Sequence, residues 1–210
     1  METTEAPELF LQVTEWGETR TVPFPTFTLP DDRAFFEFCV ANADTTLRFE
    51  RNADGEVRLM PPSGSETGKA NGYVLAQLFK WNEANGEPGY VFDASSGFKF
   101  PNGAIRAPDV AYVEKSRYDA LPLSEREPHA PVAPDFVVEV MSLSDRLPRM
   151  RAKMDEYKTN GVRLGWLIDS KNRTVHVYRP GATAETLPDP ERIVADPELP
   201  GFVLPLDRVF

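Results

Sequence analysis

The stretch Pro134-Asp135-Phe136-Val137-Val138-Glu139-Val140-Met141 decides the fold, together with Ala107-Pro108-Asp109-Val110-Ala111-Tyr112-Val113. Both stretches are apolar at odd and at even positions, which is typical of strands that are covered on both faces. One acid interrupts the strand pattern of each, Asp109 in the earlier stretch and Glu139 in the later one. A buried carboxylate is costly unless it is paired, hydrogen-bonded or bound to a metal. The two stretches therefore predict buried strands that each carry one acid with a specific partner.

The two acids together indicate a particular chemistry. If the strands are neighbours, Asp109 and Glu139 can both reach one hard cation such as Mg²⁺ or Mn²⁺. Magnesium uses few protein carboxylates and completes its octahedron with water and with phosphate oxygens of a substrate. A cation held in this way can activate water and stabilise charge on phosphorus. The pattern predicts a metal-dependent phosphodiesterase site with Asp109 and Glu139 as the metal ligands.

A lysine usually completes such a site, two residues after the second acid. Met141 occupies that position in this chain. We expect Lys153 to take its place, because it lies on a predicted helix face with Met150 and Tyr157 and can point back over the sheet. Its ammonium would stabilise charge on the phosphate or hold the attacking water. Glu66, at the start of an earlier helix, is a candidate third acid.

The same residues could have structural roles instead of catalytic or metal-binding ones. Asp109 could accept backbone N–H bonds after the turn at Pro108, and Glu139 could pair with a buried arginine such as Arg106. Glu66 could be an acid favoured by the dipole at a helix start. The basic run formed by Arg146, Arg149, Arg151 and Lys153 could be a solvated helix face or a rim that contacts phosphate.

Composition narrows the class of protein. The chain has 210 residues, a formal net charge of -10 and one cysteine, Cys39. An acidic balance argues against a large non-specific DNA groove but allows a local basic patch. A disulfide framework is excluded, and the two histidines, His129 and His176, are too scattered to indicate a zinc site. Neither a signal peptide nor a membrane span is visible, so we expect a cytoplasmic protein without membrane contact.

The order of elements predicts an α/β (α+β) fold with a mixed β-sheet flanked by helices. Residues 1–30 read as an N-terminal extension with a possible edge strand, and residues 31–210 as one domain. That domain begins with a short helix and a β-hairpin that turns at Asn52–Gly55. Residues 105–113 are predicted to form one strand, residues 118–131 a surface loop and residues 180–201 a second loop. His176 is expected in a hairpin strand, at the surface.

Several motifs, spread from about residue 30 to the C-terminus, resemble the Uma-two family of "putative restriction endonucleases", which has the PD-(D/E)XK nuclease fold. Most specific are Pro108-Asp109-Val110-Ala111 and Val138-Glu139-Val140-Met141-Ser142-Leu143-Ser144-Asp145. The others are Leu59-Met60-Pro61-Pro62, Ser65–Asn71, Ser96–Gly103, Lys153, Tyr157, Gly161-Val162 and Trp166–Asp169.

The resemblance implies a restriction-endonuclease-like domain with Asp109 and Glu139 as metal ligands and Lys153 as a migrated catalytic lysine. It also implies a magnesium-dependent endonuclease that acts on DNA, and a homodimer. The chain departs from the family where Thr67 replaces a common histidine, and in its acidic charge. The alternative function is a catalytically inactive nuclease fold that serves as a binding or assembly module.

Overall fold

The structure is a computed structural model that describes residues 10–15, 18–23 and 27–210. Parts of the predicted N-terminal extension, residues 1–9, 16–17 and 24–26, lie outside the described residues. The rest of the extension contains strands β1 (Phe10–Glu15) and β2 (Glu18–Pro23), which pair antiparallel. The strand expected in the extension is therefore present in its described part, with an antiparallel partner.

Five helices and twelve further strands make up the described part that follows. The helices are α1 (Asp32–Ala41), α2 (Ser65–Ala84), α3 (Lys115–Asp119), α4 (Leu123–His129) and α5 (Leu147–Thr159). The strands are β3 (Arg48–Arg51), β4 (Val57–Met60), β5 (Gly89–Asp93), β6 (Phe98–Lys99), β7 (Ile105–Arg106), β8 (Val110–Glu114), β9 (Phe136–Val140), β10 (Leu164–Asp169), β11 (Thr174–Tyr178), β12 (Glu185–Pro188), β13 (Arg192–Val194) and β14 (Val203–Pro205).

A six-stranded mixed sheet forms the centre, in the order β12-β11-β10-β9-β8-β5. β9 and β10 pair parallel, and the other neighbours pair antiparallel. Helix α2 packs on one face with Val138 and Trp166, and α5 packs on the other with Val137 and Leu167. Both faces are covered, which explains why β9 is apolar at successive positions. The predicted α/β class, with a mixed sheet between helices, is confirmed.

A smaller sheet in the order β4-β3-β7-β6 lies beside the main sheet. Phe35 of α1 packs against Val57 and Ile105 in a small core of its own. The expected N-terminal helix and the hairpin of β3 and β4 are thus both present. This sheet brings β3 next to the segment that leads into β8, because Arg51 pairs with Ile105.

The prediction of one continuous strand over residues 105–113 is wrong. The segment divides into β7, which belongs to the small sheet, and β8, which belongs to the main sheet. Pro108 lies in the break, where its missing N–H cannot support a ladder. Asp109 directly precedes β8, so the break places this acid where the two sheets meet.

Three other predictions are corrected. Residues 118–131 are not one loop, because they contain the end of α3 and all of α4. Residues 180–201 contain β12, which extends the main sheet, and β13. His176 is only 3% exposed, not at the surface, because β12 and α5 cover a strand that the sequence pattern could only identify as half-buried.

Candidate active site

Asp109 and Glu139 lie on neighbouring strands and on the face of the sheet that α5 covers. Glu139 alternates with Val137 along β9, and Val137 contacts the core on the α5 side. Val110 is the register partner of Val138, so Asp109 lies beside the carboxyl half of β9. The backbone N–H of Val140 donates to Oδ2 of Asp109 at 3.0 Å. The fold thus brings the two predicted acids together and gives Asp109 one of the backbone bonds expected of a structural acid.

Lys153 reaches this pair from α5. Its Nζ lies 2.7 Å from Oε1 of Glu139, and Tyr157, one turn later, donates its hydroxyl proton to the same oxygen at 2.7 Å. The helix lies close to the sheet because β10 presents Gly165 to it. A Cβ on Gly165 would come within 2.6 Å of Met154 Cε. The expectation that Lys153 points back over the sheet is confirmed by this geometry.

The structure adds Glu50, which the sequence analysis missed. This β3 residue is 4% exposed. Its Oε1 lies 3.0 Å from Nζ of Lys153 and accepts the backbone N–H of Ala107 at 3.0 Å. In the sequence, Glu50 belongs to an alternating strand of a hairpin, which indicates a solvated face. No local signal distinguishes it, since its burial depends on the contact between the small sheet and α5.

Arginines surround the cluster but do not pair with Glu139. Arg106 donates to Glu156 at 2.7 Å and lies 3.7 Å from Oε2 of Glu50. The open alternative in which Arg106 neutralises Glu139 is therefore not what the structure contains. Arg48 lies 3.8 Å from Oδ1 of Asp109. The acids and bases alternate, so each buried charge has at least one partner of opposite sign.

Burial dominates the electrostatics of the cluster. It raises the pKa of Glu139 to about 7, to which Asp109 adds and which Lys153 opposes. Burial likewise raises the pKa of Asp109. For Lys153, burial acts downward, but the charges of Glu139 and Glu50 outweigh it and raise its pKa. Burial therefore disfavours the charged form of both acids despite the nearby cations, whereas the lysine is held firmly in its protonated form.

The carboxylate oxygens of Asp109 and Glu139 that accept no hydrogen bond are suitable ligands for a hard cation. Within the described part of the chain, hydrogen bonds use Oε1 of Glu139 and Oδ2 of Asp109, and none reaches the other oxygen of either carboxylate. No group of three or more acid, histidine or cysteine side chains suited to a metal occurs among the described residues. Two carboxylates with free oxygens suit Mg²⁺ or Mn²⁺, which take their remaining ligands from water and phosphate.

Glu66 lies apart from this cluster. Its side chain is 84% exposed at the start of α2 and pairs with Lys69. No hydrogen bond or ion pair joins it to Asp109, Glu139 or Lys153 in the described structure, and its part in catalysis stays a prediction.

The basic run of α5 is divided between two sides of the helix. Lys153 contacts Glu139, whereas Arg151 lines a cavity beside β11. Ser142 is bonded to Asp145. Its backbone N–H donates to the Asp145 carboxylate at 2.8 Å, and its hydroxyl donates to the same carboxylate at 2.7 Å. The turn that follows β9 is therefore a local structural motif.

Comparison with known proteins adds two findings. The sequence profile of the Uma2 family, described as "Putative restriction endonuclease", matches residues 33–207. Among solved structures, the chain is similar to "a putative nuclease belonging to DUF820" from Anabaena variabilis ATCC 29413, with a TM-score of 0.69 and 18% identity. That alignment covers 83% of this chain and 96% of the other. At this identity the likeness shows the shared fold. No curated protein matches the chain significantly.

Proposed function

The chain belongs to the Uma2 family, and from this membership and the geometry of its buried acids we propose that it is a metal-dependent endonuclease that hydrolyses phosphodiester bonds in DNA. The observation that supports the proposal most strongly is the position of Lys153, which lies between Glu139 and Glu50 on the face of the sheet that carries Asp109. A purely structural ion pair would not need two further carboxylate oxygens left without a hydrogen bond.

In this proposal Asp109 and Glu139 hold a divalent cation through their free oxygens. When bound, the cation supplies Lewis acidity and lowers the pKa of a water molecule. The positive charge of the cation would also offset the cost of burial that raises the pKa of both acids. Magnesium and manganese share this preference for carboxylate ligands.

Lys153 has a different role from that of a base. Its raised pKa keeps the ammonium charged at neutral pH, so it donates hydrogen bonds and contributes positive charge. Held by Glu50 and Glu139, it is preorganised to stabilise negative charge that develops on the phosphate. Tyr157 donates to Oε1 of Glu139, which orients this carboxylate so that its other oxygen can act as a ligand.

Metal binding tests the proposal first. Calorimetry with Mn²⁺ should show binding to the wild type, and Asp109→Asn or Glu139→Gln should weaken that binding by tenfold or more. Glu127 of α4 is exposed and has no hydrogen bond or ion pair with the acids or Lys153 in the described structure, so Glu127→Gln offers a matched control. Short duplexes incubated with Mg²⁺ should then be cut by the wild type and by the control, but not by the two site variants. Single-stranded RNA of equal length separates a DNA preference from a general nuclease.

One observation favours the alternative of an inactive binding or assembly module. The chain has a net charge of -10, and the site cations Arg48, Arg106 and Lys153 all lie beside acids. That module would bind neither Mn²⁺ nor a duplex at the acids, and Asp109→Asn would change nothing in either assay. Light scattering of the purified chain tests the expected homodimer separately.

A further inference from the structure

A cavity of about 670 Å³ lies on the flank of α5 away from Lys153. Its walls come from α5, from β11 and β12, and from the turn between these two strands. The charged and polar side chains on the helix and strands that line it are Arg151, Asp155, Lys158, His176, Tyr178 and Thr186. A cavity of this size can accommodate a small organic ligand.

Strand register fixes where this cavity lies relative to the acids. Glu139 is the register partner of Leu167, Leu167 that of His176, and His176 that of Thr186. Register partners point to the same face of a sheet, so all four lie in one row under α5. Strands are about 4.8 Å apart, so His176 lies roughly 10 Å from Glu139 along this row. The cavity and the acids are therefore separate places on one sheet face.

The charges that line the cavity favour an anion. Arg151 is exposed and, within the described residues, has neither a hydrogen bond nor an ion pair. The Nζ of Lys158 pairs with Asp155 at 3.0 Å and makes a longer contact of 3.5 Å with the carbonyl oxygen of Ala182. Since Asp155 offsets the charge of Lys158, the guanidinium of Arg151 is the unbalanced charge at the cavity.

Neutral polar groups complete the lining. His176 is 3% exposed, and its Nδ1 lies 3.0 Å from Oγ1 of Thr186. No hydrogen bond from the described residues reaches the other ring nitrogen of His176. The described residues do not bury this nitrogen completely, so it is open to a hydrogen bond from a bound group. The cavity thus combines a fixed positive charge with an imidazole that has hydrogen-bonding capacity to spare.

We propose that this cavity binds the phosphate group of a phosphate ester, with Arg151 and Lys158 neutralising its charge and the imidazole of His176 bonding one of its oxygens. A guanidinium suits this task because it can bond two phosphate oxygens at once. The phosphate can come from a free mononucleotide or from the backbone of a bound nucleic acid. Only the second source rests on the proposed nuclease function.

The two histidines of the chain make a direct test possible. Imidazole NMR signals of the wild type should be followed as inorganic phosphate is added. We expect the His176 signals to shift in a saturable way while those of His129 stay in place, because His129 lies in α4 and packs against Phe35 of α1, outside the cavity lining. Arg151→Ala should weaken the binding of phosphate by about tenfold, as expected when one charge-assisted contact is lost.

Arg149→Ala provides the matched control, since it removes the same charge from the same helix outside the cavity. An equal loss in the Arg149 and Arg151 variants would show a general effect of charge and overturn the proposal. So would equal shifts at both histidines, or none at His176. All of these readouts are independent of cleavage, so failure here leaves the metal and cleavage assays of the acids unaffected.

Two further titrations identify the source of the phosphate. A 5′-mononucleotide that binds more tightly than inorganic phosphate indicates a free nucleotide. A duplex that binds the wild type but is weakened by Arg151→Ala, and is displaced by phosphate, indicates a backbone phosphate. A mononucleotide and a duplex that both leave His176 unshifted would exclude phosphate esters and overturn the proposal.

Discussion

At the scale of single residues, the site depends on carboxylates that are placed where water cannot stabilise them. Glu139 and Glu50 share the ammonium of Lys153, at 2.7 and 3.0 Å respectively. Asp109 relies on one backbone N–H and on Arg48 at a longer distance. Glu139 and Asp109 each keep one oxygen without a hydrogen bond, which for Asp109 is the oxygen near Arg48, whereas Glu50 uses one oxygen for Lys153 and Ala107 and the other for Arg106. The same residue type therefore serves as a candidate ligand in two cases and as a counter-ion in the third.

Glu50→Gln should affect the lysine more than the metal. The change removes a negative charge beside Lys153 and Arg106, so the pKa of Lys153 should fall and the protein should lose about 1–3 kcal/mol of unfolding free energy. The measurements are chemical denaturation and the pH profile of cleavage, whose alkaline limb should move to lower pH. Calorimetry with Mn²⁺ should show nearly unchanged affinity, and Glu127→Gln controls for a simple loss of charge. A tenfold loss of metal affinity in Glu50→Gln would instead make Glu50 a ligand.

At the scale of secondary structure elements, α5 is held by packing and not by its own sequence preferences. It begins after Arg146 without a side-chain cap, and its first turn contains Pro148. Its buried side chains, Met150, Met154 and Tyr157, attach it to the sheet. The position of Lys153 therefore follows from the apolar contacts of its neighbours.

Met154→Ala tests this dependence. Met154 is fully buried against the sheet, so we expect a loss of about 2–5 kcal/mol in unfolding free energy from the lost contacts and the cavity left behind. Urea denaturation measures the loss. Arg149→Ala, on the same helix, should change stability by less than about 0.5 kcal/mol. A small effect of Met154→Ala would mean that the ion pairs of Lys153, not the apolar contacts, hold α5 in place.

At the scale of the whole molecule, two sheets meet at the site, and α1 and α4 cover the smaller one. His129 of α4 packs against Phe35 and Phe36 of α1, with ring centroids 5.3 and 6.0 Å apart. Its Nδ1 is buried without a hydrogen bond. Burial lowers the pKa of His129 from 6.5 to about 4, while Asp32 acts in the opposite direction.

In the described part of the chain, no helix is long and apolar enough to cross a bilayer.

The lowered pKa of His129 makes stability depend on pH. Between pH 6.5 and pH 4 the unfolded chain binds a proton at His129 that the folded chain does not. This residue therefore supports the fold above pH 6.5, and its contribution is lost as the pH falls towards 4, by about 3 kcal/mol at most. Glu139 acts in the opposite sense, because its pKa is raised: its contribution is present below pH 4.5 and is lost as the pH rises through 7.

The prediction is tested by comparing the free energy of unfolding of the wild type with that of a variant that lacks the imidazole. Denaturation of the wild type and of His129→Asn should be measured from pH 4 to pH 7. The stability of the wild type relative to the variant should increase with pH across this range, and Glu139 cancels in the comparison because both proteins contain it. A constant difference would show that His129 is protonated equally in the folded and unfolded chains.

The sequence by itself determined the buried strands, their two acids and the lysine that follows them. Alternation and apolarity are local properties, so β9, α2, α5 and the hairpin of β3 and β4 can be read from residue order. The family to which the chain belongs was likewise legible in its motifs. The position of Lys153 over the sheet could be inferred because helix spacing places it with Met150 and Tyr157.

Only the tertiary structure decided the rest. Glu50 enters the site because β3 pairs with β7 and not because of its own neighbours in sequence. Pro108 divides a stretch that looks continuous into strands of two sheets, and His176 is buried because β12 and α5 cover it. Glu66, predicted as a third acid, is exposed at the start of α2 and has no hydrogen bond or ion pair with the two acids in the described structure. In each case the deciding contact joins segments far apart in the chain, and such pairings leave no periodic signal in sequence.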